Sequence, residues 1–256
     1  MNVPVLAAED VSLVVDGAVL LERVSLAMRG GEILGVVGPN GAGKTSLLRV
    51  LAGEITPTTG RVTLDGVPLA AWRPLDLARR RALLPQHTLL QFAFRALDVV
   101  LMGRYPHRGA SAENDLATAR RAMEGTDTSH LEARAYPTLS GGEQTRVSLA
   151  RVLAQETPLV MLDEPTTSLD LRHQELVMGL LRGLANQGAA VVAVLHDLNL
   201  AARYADRVAL MCRGRVAALA PTREVLRADL LSEVYQHPVL VVPHPRADCP
   251  LVLPGG

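Results

Sequence analysis

The sequence predicts an α/β fold with a mostly parallel core sheet, an N-terminal antiparallel β region and a helical subdomain. Three observations support this prediction. Gly38–Thr45, GPNGAGKT, matches the phosphate-loop pattern and lies between an apolar run and a helical pattern. The runs Leu159–Leu162 and Ala190–Leu195 are continuously apolar, as expected of parallel strands buried on both faces. Short alternating runs with glycine turns precede the loop, which is typical of antiparallel strands.

The composition restricts the classes of function. The chain has 256 residues, 48% of them hydrophobic, which suits one large α/β domain. Its 26 basic and 26 acidic residues cancel, so no net charge attracts nucleic acid or a membrane surface. Two cysteines in unrelated contexts suit a reducing compartment. No secretion signal is visible, and no apolar stretch approaches the roughly 20 residues that cross a bilayer. We therefore expect membrane attachment only through a partner.

The elements before the middle of the chain are predicted from their periodicity and turn residues. Residues 5–37 form an antiparallel β region that leads into the strand before the phosphate loop. The later elements are a turn at Thr56–Gly60, a strand at Arg61–Gly66, a helix at Pro74–Arg81, a strand at Ala82–Gln86, and a helical insert over 87–140 with helices at Ala96–Met102 and Ala112–Met123.

The elements after the insert alternate between helices and strands, which predicts a βαβ unit. A helix over Gly142–Leu153 comes first, and a helix over Gln174–Gln187 connects the two apolar strands. Val208–Met211 and Gly214–Leu219 are predicted to close the sheet as a hairpin. The tail, Pro238–Pro254, contains five prolines and is predicted to form only short extended pieces.

The phosphate loop predicts nucleotide binding. Its glycines allow successive backbone N–H groups to face phosphate oxygens, and the following helix presents its positive end. Lys44 would reach the β- and γ-phosphates, and the Thr45 hydroxyl would bind Mg²⁺. The predicted ATP-binding residues are Gly38, Pro39, Asn40, Gly41, Ala42, Gly43, Lys44, Thr45 and Ser46.

Further motifs follow the loop in a fixed order. LSGGEQ occupies Leu139–Gln144, Asp163 and Glu164 end an apolar strand, and Ser168–Asp170 and His196 come later. This ordered set resembles the ATP-binding subunit of an ATP-binding cassette (ABC) transporter, and the resemblance covers nearly the whole chain. It implies a single domain over 1–256, with a RecA-like core at 1–86 and 155–256 and a helical signature subdomain at 87–154.

The resemblance also implies a role for each motif. Asp163 ends its strand beside the phosphates, where it would hold Mg²⁺ together with Thr45 and Gln86. Glu164 is implied to orient or deprotonate the attacking water, and His196 to contact the γ-phosphate. The predicted catalytic residues are Glu164, His196, Gln86 and Lys44.

The family's architecture predicts a homodimer. The resemblance implies that the start of the LSGGEQ helix lies in a different lobe from the subunit's own phosphate loop, so that two copies arranged head to tail would enclose two ATP molecules. The residues expected to contact the ATP of the partner subunit are Ser140, Gly141, Gly142, Glu143 and Asp170. Hydrolysis would remove the bridging γ-phosphate and open the dimer.

One feature departs from the family pattern. Most members carry an aromatic residue in the N-terminal β region that stacks on adenine. The corresponding place here is near Val15, and no Tyr, Phe or Trp lies close to it in the sequence. Adenine would then be held by aliphatic contact, which affects base selectivity but not the hydrolytic residues.

Three segments resemble the importer class for metal chelates: Phe92–Phe94, Val99–Arg104 and Val194–Asp206. Ser140–Gln155 and Ser232–Val239 are similar to haemin-import ATP-binding proteins. The resemblance implies haemin uptake across the bacterial inner membrane, with ferric siderophore or cobalamin import as the alternative.

The same resemblance implies the partners. A dimeric permease would dock on residues 87–108, where charge changes at Arg95 or Arg104 are expected to reduce transport-coupled hydrolysis. A periplasmic haem-binding protein would act through the permease. The chain would lie on the cytoplasmic face of the membrane, bind no nucleic acid and never touch the transported substrate.

Two other classes of protein fit the sequence less well. An ABC-type ATPase acting on DNA or ribosomes would need a long coiled coil before LSGGEQ or a second cassette, and the sequence has neither. A catalytically silent nucleotide-binding module would be expected to lack Glu164 or His196, and both are present.

Overall fold

The computed structural model describes residues 5–86, 92–107, 109 and 111–256. The strands are β1 (Leu6–Val15), β2 (Ala18–Met28), β3 (Ile33–Val37), β4 (Thr59–Leu64), β5 (Val67–Pro68), β6 (Arg81–Leu84), β7 (Leu159–Asp163), β8 (Ala190–Val194), β9 (Arg207–Cys212), β10 (Arg215–Pro221), β11 (Val239–Pro243) and β12 (Pro250–Pro254). The α-helices are α1 (Lys44–Leu51), α2 (Pro74–Ala78), α3 (Ala96–Leu101), α4 (Ala112–Gly125), α5 (Gly141–Ala154), α6 (Leu171–Asn186), α7 (Leu198–Tyr204), α8 (Thr222–Val225) and α9 (Ala228–Tyr235). Short 3₁₀ helices lie at Leu69–Ala71, Met102–His107, Ser129–Leu131 and Tyr136–Thr138.

The central sheet has six strands in the order β10-β9-β3-β8-β7-β6. β9, β3, β8, β7 and β6 run parallel, and β10 pairs antiparallel at one edge. Every residue of β3, β7 and β8 is buried, because helices cover both faces of the sheet. This arrangement confirms the predicted parallel core, and the carboxyl ends of β3, β7 and β8 come to lie side by side.

A second, antiparallel sheet has the strand order β2-β1-β4-β5. A turn at Asp16–Gly17 connects β1 to β2, with both residues at positive φ. The predicted turn over Thr56–Gly60 is wrong in its second half, because β4 begins at Thr59. Gly60 has φ 80°, and a Cβ atom there would lie 2.4 Å from the carbonyl oxygen of Asp10. The glycine therefore accommodates an irregularity where β4 passes β1, rather than a turn.

Helices α3, α4 and α5 surround a separate apolar cluster that includes Val99, Met123 and Val147. Arg104 is only 7% exposed and joins these helices: its Nε donates to Asp115 at 2.9 Å, and its Nη1 donates to the carbonyl oxygen of Ala154 at 2.7 Å. The expectation that Arg104 belongs to a docking surface is wrong, because its charge is satisfied inside this helical region. The boundaries of the helical subdomain, 87–154, stay a prediction.

Several helix limits differ from the prediction. α6 begins at Leu171, before the predicted start at Gln174, because the Asp170 carboxylate accepts the His173 N–H at 2.9 Å and caps the helix. Helices α7, α8 and α9 were not predicted. They are short, so few turns of the apolar pattern are available to reveal them.

The predicted short extended pieces of the tail are confirmed as the β11–β12 hairpin. None of the helices in the described ranges is both long and apolar enough to cross a membrane.

Candidate nucleotide-binding site

The phosphate loop follows β3 and lies against two neighbouring strands. Gly38 has φ 144°, and a Cβ atom there would lie 2.2 Å from the Met211 carbonyl oxygen. Gly43 has φ 96°, and its Cβ atom would lie 2.7 Å from the Leu20 carbonyl oxygen. Only glycine fits such contacts without displacing the backbone. These contacts explain why both positions are glycine.

The loop contains free backbone donors. In the described part of the chain, the N–H groups of Gly41, Gly43, Lys44 and Thr45 have no hydrogen-bond acceptor. Lys44 and Thr45 form the first turn of α1, where N–H groups have no partner within the helix. Together with the positive end of the helix dipole, these donors suit an anion such as a phosphate chain.

Lys44 is held inside the loop. Its Nζ donates to the carbonyl oxygens of Gly38 at 2.8 Å and Pro39 at 3.0 Å, and the residue is only 6% exposed. Burial lowers the pKa of Lys44, whereas the charges of Glu164 and Asp163 raise it. Lys44 is also the only lysine in the chain, since every other basic residue counted among the 26 is arginine.

Asp163 is the last residue of β7 and is 4% exposed. Its Oδ1 accepts a long hydrogen bond from the Thr45 hydroxyl at 3.4 Å. Burial raises the pKa of Asp163, and the neighbouring Glu164 raises it further. A buried carboxylate with one weak hydrogen bond, beside a hydroxyl oxygen, is a donor set that fits a hard divalent cation such as Mg²⁺.

Glu164 is positioned by three side chains. Its Oε2 accepts hydrogen bonds from Gln86 Nε2 at 3.0 Å and from the Thr167 hydroxyl at 3.2 Å, and its Oε1 lies in direct contact with His196 Nε2. The backbone of Glu164 has φ 53°, a strained conformation for a residue with a side chain. The structure therefore brings three of the four predicted catalytic residues into direct contact, and the fourth, Lys44, is close enough to feel the charge of Glu164.

A cleft of about 380 Å³ opens over the loop. It is lined by the loop residues Asn40–Ser46 and by Glu164, and its remaining wall consists of Val19, Leu20, Arg213 and Gly214. No aromatic side chain lines this cleft in the described part of the chain. Val15, the position near which an aromatic residue was expected, is 41% exposed and lies outside the lining.

The sequence did not predict that Val19, Leu20, Arg213 and Gly214 line this cleft. Gly214 donates its N–H to Ala42 O at 3.0 Å and accepts from Glu22 N–H at 2.8 Å, so the β9–β10 turn is fastened between the loop and β2. This brings Arg213 to the cleft from far along the chain. No local sequence signal indicates such a contact.

The LSGGEQ segment lies elsewhere. Ser140 caps α5: its hydroxyl accepts the Glu143 N–H at 3.3 Å, and Glu143 Oε2 accepts the Ser140 N–H at 2.7 Å. This N–H bond is the main reason that the pKa of Glu143 is lowered. Neither Ser140–Glu143 nor Asp170 lines the phosphate-loop cleft. Gly141 instead lines a second cleft of about 370 Å³ that also reaches Gln86 and Glu164.

The arrangement of a glycine loop, a buried strand-ending aspartate and a glutamate held by glutamine and histidine can bind a nucleoside triphosphate and hydrolyse its terminal phosphoanhydride bond. Residues 21–167 match the family model described as ABC transporter. The chain belongs to the ABC transporter family.

This ABC cassette is similar to several hemin import ATP-binding proteins. It is 57% identical to the hemin import ATP-binding protein HmuV of Nocardia farcinica over 236 residues, which cover 92% of this chain and 82% of that relative. It is 50% identical to the protein of the same name from Thermobifida fusca, covering 98% of this chain and 88% of the relative.

Solved ABC structures have the same fold. An inward-facing transporter assigned to the metal-chelate type superposes with a TM-score of 0.83 at 27% identity, covering 98% of this chain and 97% of that one. A dimeric ABC cassette, MJ0796, bound to ADP and inorganic phosphate, has a TM-score of 0.78 at 27% identity, covering 85% of this chain and 99% of that one.

Proposed function

We propose that this chain is the ATP-binding and ATP-hydrolysing subunit of an ABC importer that drives haemin uptake. The observation that supports it most directly is the position of Glu164, held by Gln86, Thr167 and His196 at the edge of the phosphate-loop cleft. The names of the relatives, hemin import ATP-binding proteins, support the choice of cargo. Import of a ferric siderophore or cobalamin is the alternative.

The phosphate loop would bind the triphosphate of ATP. The residues proposed to contact it are Gly38–Ser46, and the free N–H groups of Gly41, Gly43, Lys44 and Thr45 would supply neutral donors. Lys44 would exchange its bonds to two loop carbonyls for bonds to the β- and γ-phosphate oxygens, which adds a full positive charge. Thr45, Asp163 and Gln86 would hold Mg²⁺, which neutralises charge on the phosphates.

Glu164 is proposed as the general base. Its carboxylate would accept a proton from the water that attacks the γ-phosphate, and Gln86 and His196 would hold it in place for that step. His196 would also contact the γ-phosphate, so that the contact is made with ATP and lost after hydrolysis.

A second copy of the chain completes the proposed site. Ser140–Glu143 and Asp170 do not line this chain's own phosphate-loop cleft, and a head-to-tail partner would bring them to it. The dimeric ABC cassette with bound ADP and phosphate supports this arrangement.

A permease dimer is the proposed membrane partner, with a periplasmic haem-binding protein beyond it and the chain on the cytoplasmic face. Its docking surface is proposed to include the exposed residues within 92–107, where Phe92 is 73% exposed and the Arg95 side chain is 64% exposed, but not the buried Arg104. The rest of the proposed 87–108 surface, residues 87–91 and 108, lies outside the described residues.

The function is tested by comparing the purified chain with its Glu164→Gln variant. We expect the variant to hydrolyse ATP at least 100-fold more slowly, because a general base usually contributes about 100-fold or more to the rate. It should also accumulate as an ATP-bound dimer, measured by light scattering with MgATP. Glu113→Gln, at an exposed position on α4, is the matched control and should leave both measurements unchanged. Normal hydrolysis by Glu164→Gln would rule out this residue as the base.

The cargo requires a separate measurement. The chain would be reconstituted with its permease in vesicles, and ATP hydrolysis compared with haemin, a ferric siderophore or cobalamin supplied through a binding protein. Stimulation by a siderophore or cobalamin but not by haemin would replace haemin with the alternative.

A further inference from the structure

His173 lies between two carboxylates at the start of α6. Its Nδ1 donates to Asp170 Oδ1 at 2.7 Å, and its backbone N–H donates to the same oxygen at 2.9 Å. On the other side of the ring, Nε2 lies 3.6 Å from Asp127 Oδ2. The His173 side chain is 18% exposed, whereas that of Asp170 is 67% exposed. The ring thus fixes one oxygen of a carboxylate that otherwise faces solvent.

Asp127 is in turn fastened to α5. Nη1 of Arg146 donates to the carbonyl oxygens of Asp127 at 2.5 Å and Thr126 at 3.2 Å. The Arg146 side chain is 7% exposed, so these bonds are shielded from water. The contacts of His173 therefore lead from Asp170, through Asp127, to the helix that Ser140 begins.

A second connection joins the same segments at Ser168. The Thr145 hydroxyl lies 2.9 Å from the Ser168 hydroxyl, and a Cβ atom on Gly142 would lie 3.0 Å from the Ser168 carbonyl oxygen. The first turn of α5 is thus packed directly against the residues that lead into Asp170. Two segments that are separate in the sequence are held as one unit.

We propose that His173 is a positioning residue that holds Asp170 and the start of α5 in the arrangement that a second copy of this chain contacts around ATP. This inference rests on the proposed function, because that function assigns Ser140–Glu143 and Asp170 to the partner's ATP. An exposed carboxylate that is already fixed loses less conformational freedom when the two copies associate. The ATP that the chain binds through its own phosphate loop would not depend on His173.

The test uses Glu164→Gln as the parent, so that ATP is not consumed. Light scattering over a range of protein concentrations with MgATP gives the dimer dissociation constant. A fluorescent ATP analogue, with the chain diluted below dimerisation, gives the affinity of the single chain. We expect His173→Ala to weaken the dimer on the order of tenfold, with the affinity of the single chain for nucleotide unchanged.

Two conservative variants separate the contacts of the ring. His173→Asn keeps a donor near the position of Nδ1 and should retain part of the dimer affinity through Asp170. His173→Gln places its donor near the position of Nε2, towards Asp127, and should retain less. Arg172→Gln is the matched control: its guanidinium contacts the same Asp127 oxygen at 3.1 Å but has no bond to Asp170, so dimerisation should not change.

Three outcomes would overturn the inference. If His173→Ala had the same dimer dissociation constant as the parent, His173 would have no positioning role, even if the melting temperature fell. A loss of the same size in Arg172→Gln would assign the effect to Asp127 alone. Weaker nucleotide binding by the single chain would mean that His173 acts through the fold. A parent that stays monomeric with MgATP would instead refute the dimer of the proposed function itself.

Discussion

At the scale of single residues, the site contains a buried carboxylate whose negative charge destabilises the fold. Asp163 is buried at the end of β7, and burial raises its pKa above the ordinary value of 3.8. A raised pKa for an acid means that the ionised form destabilises the folded state. This penalty is complete above the folded-state pKa and disappears as the pH falls below 3.8. Such destabilisation is expected of a buried carboxylate whose function is to bind a cation.

We therefore predict that Asp163→Asn stabilises the nucleotide-free chain while abolishing hydrolysis. The amide keeps the size of the side chain and the contact with Thr45, but removes the buried charge. At pH 7.5 the melting temperature should rise by about 2–4 °C, which corresponds to roughly 1 kcal/mol in a chain of this size. The difference should shrink as the pH approaches 4. The measurement is thermal unfolding of both proteins across this pH range.

Asp229→Asn is the control, because the pKa of Asp229 is shifted in the opposite direction to that of Asp163. Asp229 lies in the first turn of α9, where a backbone N–H bond and Arg227 lower its pKa. Its ionised form therefore stabilises the fold, and Asp229→Asn should not raise the melting temperature at pH 7.5. An unchanged or lower melting temperature for Asp163→Asn would contradict the destabilising role of the buried carboxylate.

At the scale of elements, the C-terminal hairpin supports the segment that carries His196. Asn199, in the first turn of α7, makes two hydrogen bonds to Val252 of β12: its Nδ2 donates to the carbonyl oxygen at 3.2 Å, and its Oδ1 accepts the N–H at 2.8 Å. Asp197 caps the same helix directly after His196. The hairpin thus fastens α7 three residues beyond His196.

We predict that Asn199→Leu loosens this connection. Leucine has a similar size but can neither donate nor accept, which leaves two backbone groups of Val252 unpaired. The 239–254 hairpin should become cleavable by limited proteolysis, and the rate of ATP hydrolysis should fall about two- to fivefold through poorer positioning of His196. Asn114→Leu, at an exposed position on α4, is the control. A hairpin as resistant as in the original chain would show that these bonds are dispensable.

These elements also show which features can be read from the sequence. The phosphate loop and the strands β7 and β8 are local patterns, so their type and position were predicted from contiguous residues. The roles of Gln86 and His196 were expected only through the family resemblance, and their direct contacts with Glu164 were not expected. Arg213 and the hairpin reach the site through long-range contacts, which leave no local pattern. Arg104 was assigned to the surface because a lone arginine gives no sign of its buried partners.

At the scale of the whole molecule, the proposed site is divided between two copies. The phosphate loop and Glu164 line one cleft, and Ser140–Glu143 do not line it. If each ATP contacts the loop of one copy and the LSGGEQ segment of the other, defects in the two segments can complement each other.

We predict that mixing Lys44→Ala with Gly141→Asp chains, both carrying Glu164→Gln, restores ATP-dependent dimers. In each mixed dimer one composite site has both defects and the other has none, so up to about half of the dimers formed at random would contain one intact site. Each variant alone should stay monomeric in light scattering. If mixing restores nothing while the parent dimerises, the two segments would serve ATP within one chain.

The composition of the charged residues has a further consequence for labelling chemistry. Because Lys44 is the only lysine, reagents that acylate side-chain amines have one target in the molecule, besides the α-amine of the first residue. That target is buried and bonded to Gly38 and Pro39, and bound phosphates would cover it further. A mass increase at Lys44 would therefore record the moments when the loop opens, without any engineered probe.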